Sequence, residues 1–337
     1  MAITLADAKL NTVDPVDLQV IDEFRKNSWL LDNMIWDQAV NPAGGGAALS
    51  YGYTRLVAER PAGFRKLNSE YPRGQAKRAR YDVDLAPLGD AFEIDRTIAQ
   101  LGPAASNEVT FQMTQAIKSA NTFFSEQVIT GKKQTTPEGD VLGFDGLDVA
   151  LANSATEMGA GSYLDWTGST LGTDTAKAHA ALDALDEFLD LLDGTPSALL
   201  GNGKTIARVR SLARRAGYYN RELNAFGKKV EFYNGIPLVN LGDRAGSTLP
   251  VVPIESRDVD GAGPGGQITG LSDLYAVRIG IDGFHGVTTT SGNLVQQWLP
   301  DFSTAGALKV GEVELGPVAV VLKATKAAAV LRNIKVK

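Results

Sequence analysis

Cysteine is absent from the 337 residues, and histidine occurs only at positions 179 and 285. The first absence excludes disulfides, thiolate metal sites and cysteine nucleophiles. The second leaves no material for a histidine-rich metal site. Any Ser-His-Asp device would have to recruit one of two residues roughly a hundred positions apart. No apolar run reaches the roughly 18 residues that a membrane-crossing helix needs. The opening MAITLADAKLNTVD has no basic stretch followed by an apolar one, so no secretory signal is expected. Lys and Arg number 33 against 39 Asp and Glu, and a net charge of −6 argues against coating duplex DNA with the whole surface. No repeat of fixed period exists, which excludes solenoids and propellers. What remains is a chain with 44% hydrophobic residues, long enough for two domains and poor in catalytic residue types.

Helical signals are clear in places. Asp14 and Pro15 suit a helix start, and Val20, Phe24, Leu31 and Met34 recur at helical spacing, which predicts a helix from Asp14 to Gln38. Val109, Met113, Ile117, Ala120, Phe124 and Val128 form one stripe between Pro103 and Gly131, so a long helix is predicted over Ala104–Thr130. A helix capped by Asp174 and a second over Thr205–Ala216 flank a short strand, Ser197–Leu200. Strands are predicted at Lys229–Tyr233, Pro237–Leu241, Leu249–Ile254, Leu274–Ile281 and Asn293–Leu299, with a turn at Asn234-Gly235 and a loop over Asp258–Gly270. The tail alternates in three bursts, Leu308–Leu315, Val318–Lys323 and Ala328–Val336.

Three tempting motifs fail on context. Gly201-Asn202-Gly203-Lys204-Thr205 lies between a strand and a helix, but a phosphate loop needs a glycine where Ala198 stands. Gly261–Gly266 mimics a dinucleotide fingerprint, yet it contains Pro264 and no helix follows. Asp183, Asp186, Glu187 and Asp190 crowd one helix whose other side is apolar, which reads as a solvated or interface-facing surface. His179 reads as a helix-surface residue and His285 as a turn residue.

One charge asymmetry stands out. Between Arg55 and Arg80 lie Arg55, Arg60, Arg65, Lys66, Arg73, Lys77, Arg78 and Arg80, opposed only by Glu59 and Glu70. Tyr53, Phe64, Tyr71 and Tyr81 are interleaved. Strand-like pieces, Leu49–Val57 on one side and Tyr81–Leu85 with Ala91–Ile94 on the other, make this a long two-stranded excursion with a polar tip. An isolated two-stranded ribbon is marginal in water, so it needs another surface. The eight basic residues fit docking onto the acidic surface of a neighbouring copy better than they fit nucleic-acid binding or a solvated loop.

The order of parts, together with Ala198–Arg210, Phe232–Val239, Leu274–Gly280 and Ala327–Val336, resembles the major capsid protein of tailed double-stranded DNA bacteriophages, the Hong Kong 97 capsid fold. The resemblance implies an α+β fold with an N-terminal arm over 1–43, an extended loop over 44–90 and a peripheral domain over 91–173 whose spine helix is 104–130. It further implies an axial domain over 174–282 and closing strands over 283–337. The implied function is a non-enzymatic shell subunit, without cofactor or metal, that forms hexamers and pentamers of an icosahedral head around double-stranded DNA in the virion. Expected partners are further copies of the chain, a portal, decoration proteins and DNA held by weak non-specific contact, with no membrane. Only some thirteen residues precede Asp14, so either scaffolding is a separate protein, the expected partner, or the chain is a mature-like form. Lys66 and Lys77 have no identifiable asparagine partner, and no covalent cross-link is expected. The alternatives are an encapsulin-like nanocompartment shell and a nucleotide-dependent enzyme built on Gly201–Thr205.

Overall fold

The computed structural model of the chain describes residues 29–40, 46–60, 62–71, 73–99, 103–217, 219–223, 229–259, 267–289 and 295–337. A short helix, Trp29–Asn33, leads into strand β1 (Trp36–Gln38). The helix predicted from Asp14 to Gln38 therefore ends early, because Trp36–Gln38 pair in parallel with Gly286–Thr288. Its first half, with most of the expected N-terminal arm, lies outside the described residues. Next come the ribbon strands β2 (Ser50–Ala58) and β3 (Lys77–Asp84), then β4 (Ala86–Asp95). The long helix α1 (Pro103–Thr130) matches its predicted stripe, with Met113, Ala120, Phe124 and Val128 buried. At 28 residues it is about 42 Å long at ~1.5 Å per residue.

The rest of the chain interleaves strands and helices. Short strands β5 (Glu157–Met158) and β6 (Leu164–Asp165) precede α2 (Thr175–Asp190), whose first N–H groups, on Ala176 and Lys177, donate to the Asp174 carboxylate. Then follow β7 (Ala198–Gly201), α3 (Gly203–Ala216), β8 (Tyr219–Leu223), β9 (Lys229–Tyr233) and β10 (Ile236–Asn240). Gly217 ends α3 at φ 76°, a left-handed conformation that glycine adopts without steric cost. Strands β11 (Glu255–Arg257), β12 (Ile268–Val277), β13 (Phe284–Thr288), β14 (Gln296–Trp298), β15 (Leu308–Leu322) and β16 (Ala328–Lys335) complete the fold.

Two large sheets organise these strands outside the β2–β3 ribbon. A five-stranded sheet runs β1-β13-β15-β14, with β4 on the other edge of β15. Ala86–Asp90, placed by the sequence in the extended loop, pair here with Val313–Val318, so the ribbon itself ends at Asp84. The two bursts expected at Leu308–Leu315 and Val318–Lys323 are one strand, irregular between Glu314 and Pro317, because Gly316 at φ 58° lets it bulge without breaking. The segment Leu249–Ile254, predicted as a strand, makes only the isolated bridge from Pro250 to Asp243. Val251 and Val252 are buried, but Pro250 and Pro253 lack the N–H groups a ladder requires.

The nine-stranded sheet runs β8-β9-β10-β7-β12-β16-β5, with β11 on β12 and β6 on β16. Its central strands alternate between two cores. Leu199, Leu274, Ala276, Ala329 and Leu331 face α2 and α3, while Leu200, Tyr275, Val277, Ala328 and Val330 share a core with α1 and the five-stranded sheet. Burial on both faces explains why these strands read as continuous apolar runs.

At one end of this sheet an ionic network replaces apolar packing. Arg332 donates to Glu157 at 2.7 Å and to Asp148, and Arg257 grips Asp273 through two bonds of 2.7 and 2.9 Å. Asn333 sits at φ 58°, and its own N–H reaches Asp273 at 3.0 Å. The Asp273 side chain is only 2% exposed, so it depends on these partners. Arg332→Leu is expected to destabilise the chain by about 3–5 kcal/mol, the usual effect of removing one partner from a buried network. Calorimetry of the full chain measures it, and an unchanged unfolding transition would show that Asp148 and Glu157 are satisfied without Arg332.

Candidate functional site

Period-two alternation turns one edge of the ribbon into an anchor. Tyr51, Tyr53 and Arg55 point the same way from β2 and are half-buried, while the alternating Gly52, Thr54 and Leu56 are exposed. The Tyr51 hydroxyl donates to the Asp37 carboxylate on β1 at 2.6 Å. The Tyr53 hydroxyl donates to the Leu322 carbonyl at 3.3 Å. Arg55 reaches the same end of β15, donating through Nε to the Lys323 carbonyl at 2.9 Å and through Nη2 to the Leu322 carbonyl at 2.5 Å. Its guanidinium carbon lies 4.8 Å from the centre of the Tyr81 ring, and Tyr81 stacks on Tyr53 at 5.5 Å. On the other strand, the Lys133 ammonium bonds Asp84 at 2.5 Å.

Charge reinforces this root. Burial pushes the Tyr51 hydroxyl's pKa up, and its bond to Asp37 pushes it further. Burial works to raise the Asp37 carboxyl, but the Tyr51 hydroxyl, the Gln38 N–H and the Lys323 ammonium outweigh it and hold the carboxyl below its usual value. The Lys323 ammonium lies 3.6 Å from Asp37 and over the Tyr51 ring. On β13, Gly286 makes room for the Trp36 ring, which a Cβ there would meet at 2.7 Å. A cavity of about 290 Å³ at the foot of the ribbon is lined by Tyr53, Arg55, Asp84, Lys133, Phe144 and Val149. Lys133 and Asp84 pair across it, and Asp145 accepts the Lys133 N–H, so the cavity is a seam between elements.

The eight basic residues divide into two groups. Arg55 is taken by its own chain. Arg60, Arg65, Lys66, Arg73, Lys77, Arg78 and Arg80 are exposed. Among them, Arg65 lies over the Tyr71 ring, Arg73 pairs with Glu70, and Arg80 pairs with Asp82. Surface pairs of this kind contribute little to stability. The tip is not purely polar as the sequence suggested. Phe64 and Leu67 are almost wholly exposed and Tyr71 is largely so, with Leu56 and Val57 exposed further down. Reading the sequence missed Asp37, Tyr51, Lys323 and His285 at the root. The signal available was the alternation Tyr51-Tyr53-Arg55 at period two.

The other candidate residues do not converge. The N–H groups of Lys204 and Thr205 and the Thr205 hydroxyl all donate to the buried Asn202 side-chain oxygen, at 3.0, 2.9 and 3.2 Å. The Asn202 amide in turn holds the Ser272 hydroxyl at 2.6 Å. The donors that a phosphate would need are therefore occupied by a helix cap. On α2, Asp183, Glu187, Asp190 and His179 are exposed, and Asp186 accepts from the Tyr233 hydroxyl. Gly261–Gly266 lies outside the described residues. His285, expected in a turn, is buried in β13. Its partner strand β15 lies far downstream, and local sequence does not show that pairing. Among the described residues no group of His, Asp and Glu could hold a metal ion, and no helix is long and apolar enough to cross a membrane.

Arg55→Ala is expected to speed hydrogen exchange of the Tyr51–Val57 amides tenfold or more, since charge-assisted bonds contribute about 1.5–3 kcal/mol each. Arg55→Lys should rescue little, because an ammonium cannot bridge two carbonyls and stack on Tyr81 together. Unchanged protection in both variants would show that the guanidinium does not hold the root.

No protein-family model matches the chain, and no curated protein matches it significantly. Solved structures do. The capsid of a native GTA particle is 14% identical with a TM-score of 0.56, covering 98% of each chain. A structure from Microbacterium phage Oxtober96 is 14% identical at a TM-score of 0.55, over 98% of this chain and 99% of that one. The holo-SrpI encapsulin complex from Synechococcus elongatus is 15% identical at 0.52, over 99% of this chain and 98% of that one.

Proposed function

We propose that this chain, which has the α+β Hong Kong 97 capsid fold, is the major capsid protein of a tailed bacteriophage, assembling into the hexamers and pentamers of an icosahedral head. One observation carries the proposal beyond the fold. The ribbon presents Phe64, Leu67 and Tyr71 among seven exposed basic side chains, beyond the root where its own chain holds it. Apolar side chains ringed by charge mark a surface that is covered by something else. A chain with net charge −6 supplies acidic surface on a second copy, which draws the basic tip in and fixes its register. The root fixes where the ribbon leaves the body, and the tip supplies the contact. The shell has no catalytic role. A separate scaffolding protein, a portal and decoration proteins would complete the head in the virion, and packaged DNA would touch its inner face only weakly.

The second reading is an encapsulin-like compartment, which the encapsulin match supports over as much of the chain. Particle contents separate the two: electron microscopy of native particles should show packaged DNA in a phage head and protein cargo in a compartment.

Deleting Glu59–Ala76 removes the tip and leaves the anchors Tyr51, Tyr53 and Arg55 in place. The expected result is an unchanged far-ultraviolet circular dichroism spectrum per residue outside the ribbon, with no closed particles by light scattering. Arg73→Glu, Lys77→Glu and Arg78→Glu together should also block closure, and added salt should not restore it, since screening supplies no new attraction. Normal particles from the deletion would sink the shell reading of the ribbon.

A further inference from the structure

His285 is buried in β13 with 0% of its surface exposed, and neither ring nitrogen has a hydrogen-bond partner. The Gly283 backbone is close but out of hydrogen-bond geometry. Groups from every neighbouring element face the ring. The Tyr51 ring of β2 meets it edge-on at 6.1 Å. Asp37 comes from β1, Lys323 follows β15, Asp282 precedes β13, and Val321 lies opposite on β15. Asp37 is thus shared: it holds the Tyr51 hydroxyl at 2.6 Å and the Lys323 ammonium at 3.6 Å.

We infer that His285 is a proton-operated release for the ribbon root: neutral, it lets Tyr51 seat on Asp37; protonated, it draws Asp37 and water to itself and unseats Tyr51. An imidazolium in this site carries two N–H donors with only the misaligned Gly283 backbone near them and a lysine ammonium as neighbour. The carboxylate able to satisfy it is already bound to the ribbon.

The direction of titration agrees. Burial first, and the Lys323 charge second, lower the His285 pKa below 6.5, while Asp37, the Gly283 backbone and Asp282 oppose that shift less strongly. In an opened root the ring reaches water and titrates near ~6.5. The docked root is therefore fully stable above about pH 6.5 and weakens as pH falls toward the lowered value, by up to about tenfold per pH unit for one proton. Asp37, held low, stays ionised through this window, so the step belongs to the imidazole. The device lies within one copy and stands independently of the shell assignment.

Hydrogen exchange of the full chain between pH 7.5 and 5, corrected for intrinsic rates, tests it. Protection of Tyr51–Val57 should fall by up to about tenfold per unit below pH ~6.5, while Leu199–Gly201 in the other sheet stays protected. His285→Phe should remove the fall. Deuterium exchange at the imidazole C2 position follows His285 in the wild type, and its midpoint should lie below about 6.5. This second measurement decides the matter even if the phenylalanine variant does not fold. A flat profile in the wild type, an identical fall in His285→Phe, or a His285 midpoint at or above about 6.5 overturns the inference.

Discussion

A two-stranded ribbon cannot bury either of its faces against itself, and β2 with β3 is a ribbon of this kind over most of its length. Where such a ribbon leaves a folded body, its direction is set by whatever holds its first few residues. Here that hold is a short set of polar bonds, from Tyr51, Tyr53 and Arg55 to Asp37 and to the carbonyls that end β15. Polar bonds are directional in a way that apolar contact is not. They fix an angle at modest energetic strength, which suits a part that must be aimed without being buried.

The body that carries the ribbon is built for rigidity by a different means. The central strands of the nine-stranded sheet alternate between two apolar cores, so a shift of one residue would exchange the contents of both. The Arg332–Asp148–Glu157 and Arg257–Asp273 bonds add a polar register pin at the end of β16. Asn333, accommodated in a left-handed conformation, absorbs the irregularity in pairing between Ser272 and Leu274.

Much of this was legible in the residues, and the illegible part has a common cause. The stripe of α1, the Asp174 cap of α2 and the turn at Asn234-Gly235 depend on neighbours within a few positions, and local pattern reveals such features. The pairing of β4 with β15 and the parallel pairing of β1 with β13 depend on partners two hundred or more residues away, and the burial of His285 depends on β15 and on Tyr51 of β2, neither of them local. Arg55 illustrates both sides. Its charge placed it with the exposed basic set, while its spacing from Tyr51 and Tyr53 already put it on the inward face. Leu249–Ile254 failed for the opposite reason: apolar content predicted a strand, but prolines at 250 and 253 permit burial without a ladder.

The bonds from Arg55 to the ends of β15 span 267 and 268 positions of the chain. Closing a loop of that length carries a large entropic cost, and the cost must be met before the contact returns anything. Every partly folded chain in which β15 has not yet joined its sheet therefore holds a ribbon whose Tyr53 and Arg55 lack their acceptors. The ribbon is fully aimed only after the chain's most distant segments have met, so the wiring of the fold makes its direction one of the last features the chain acquires.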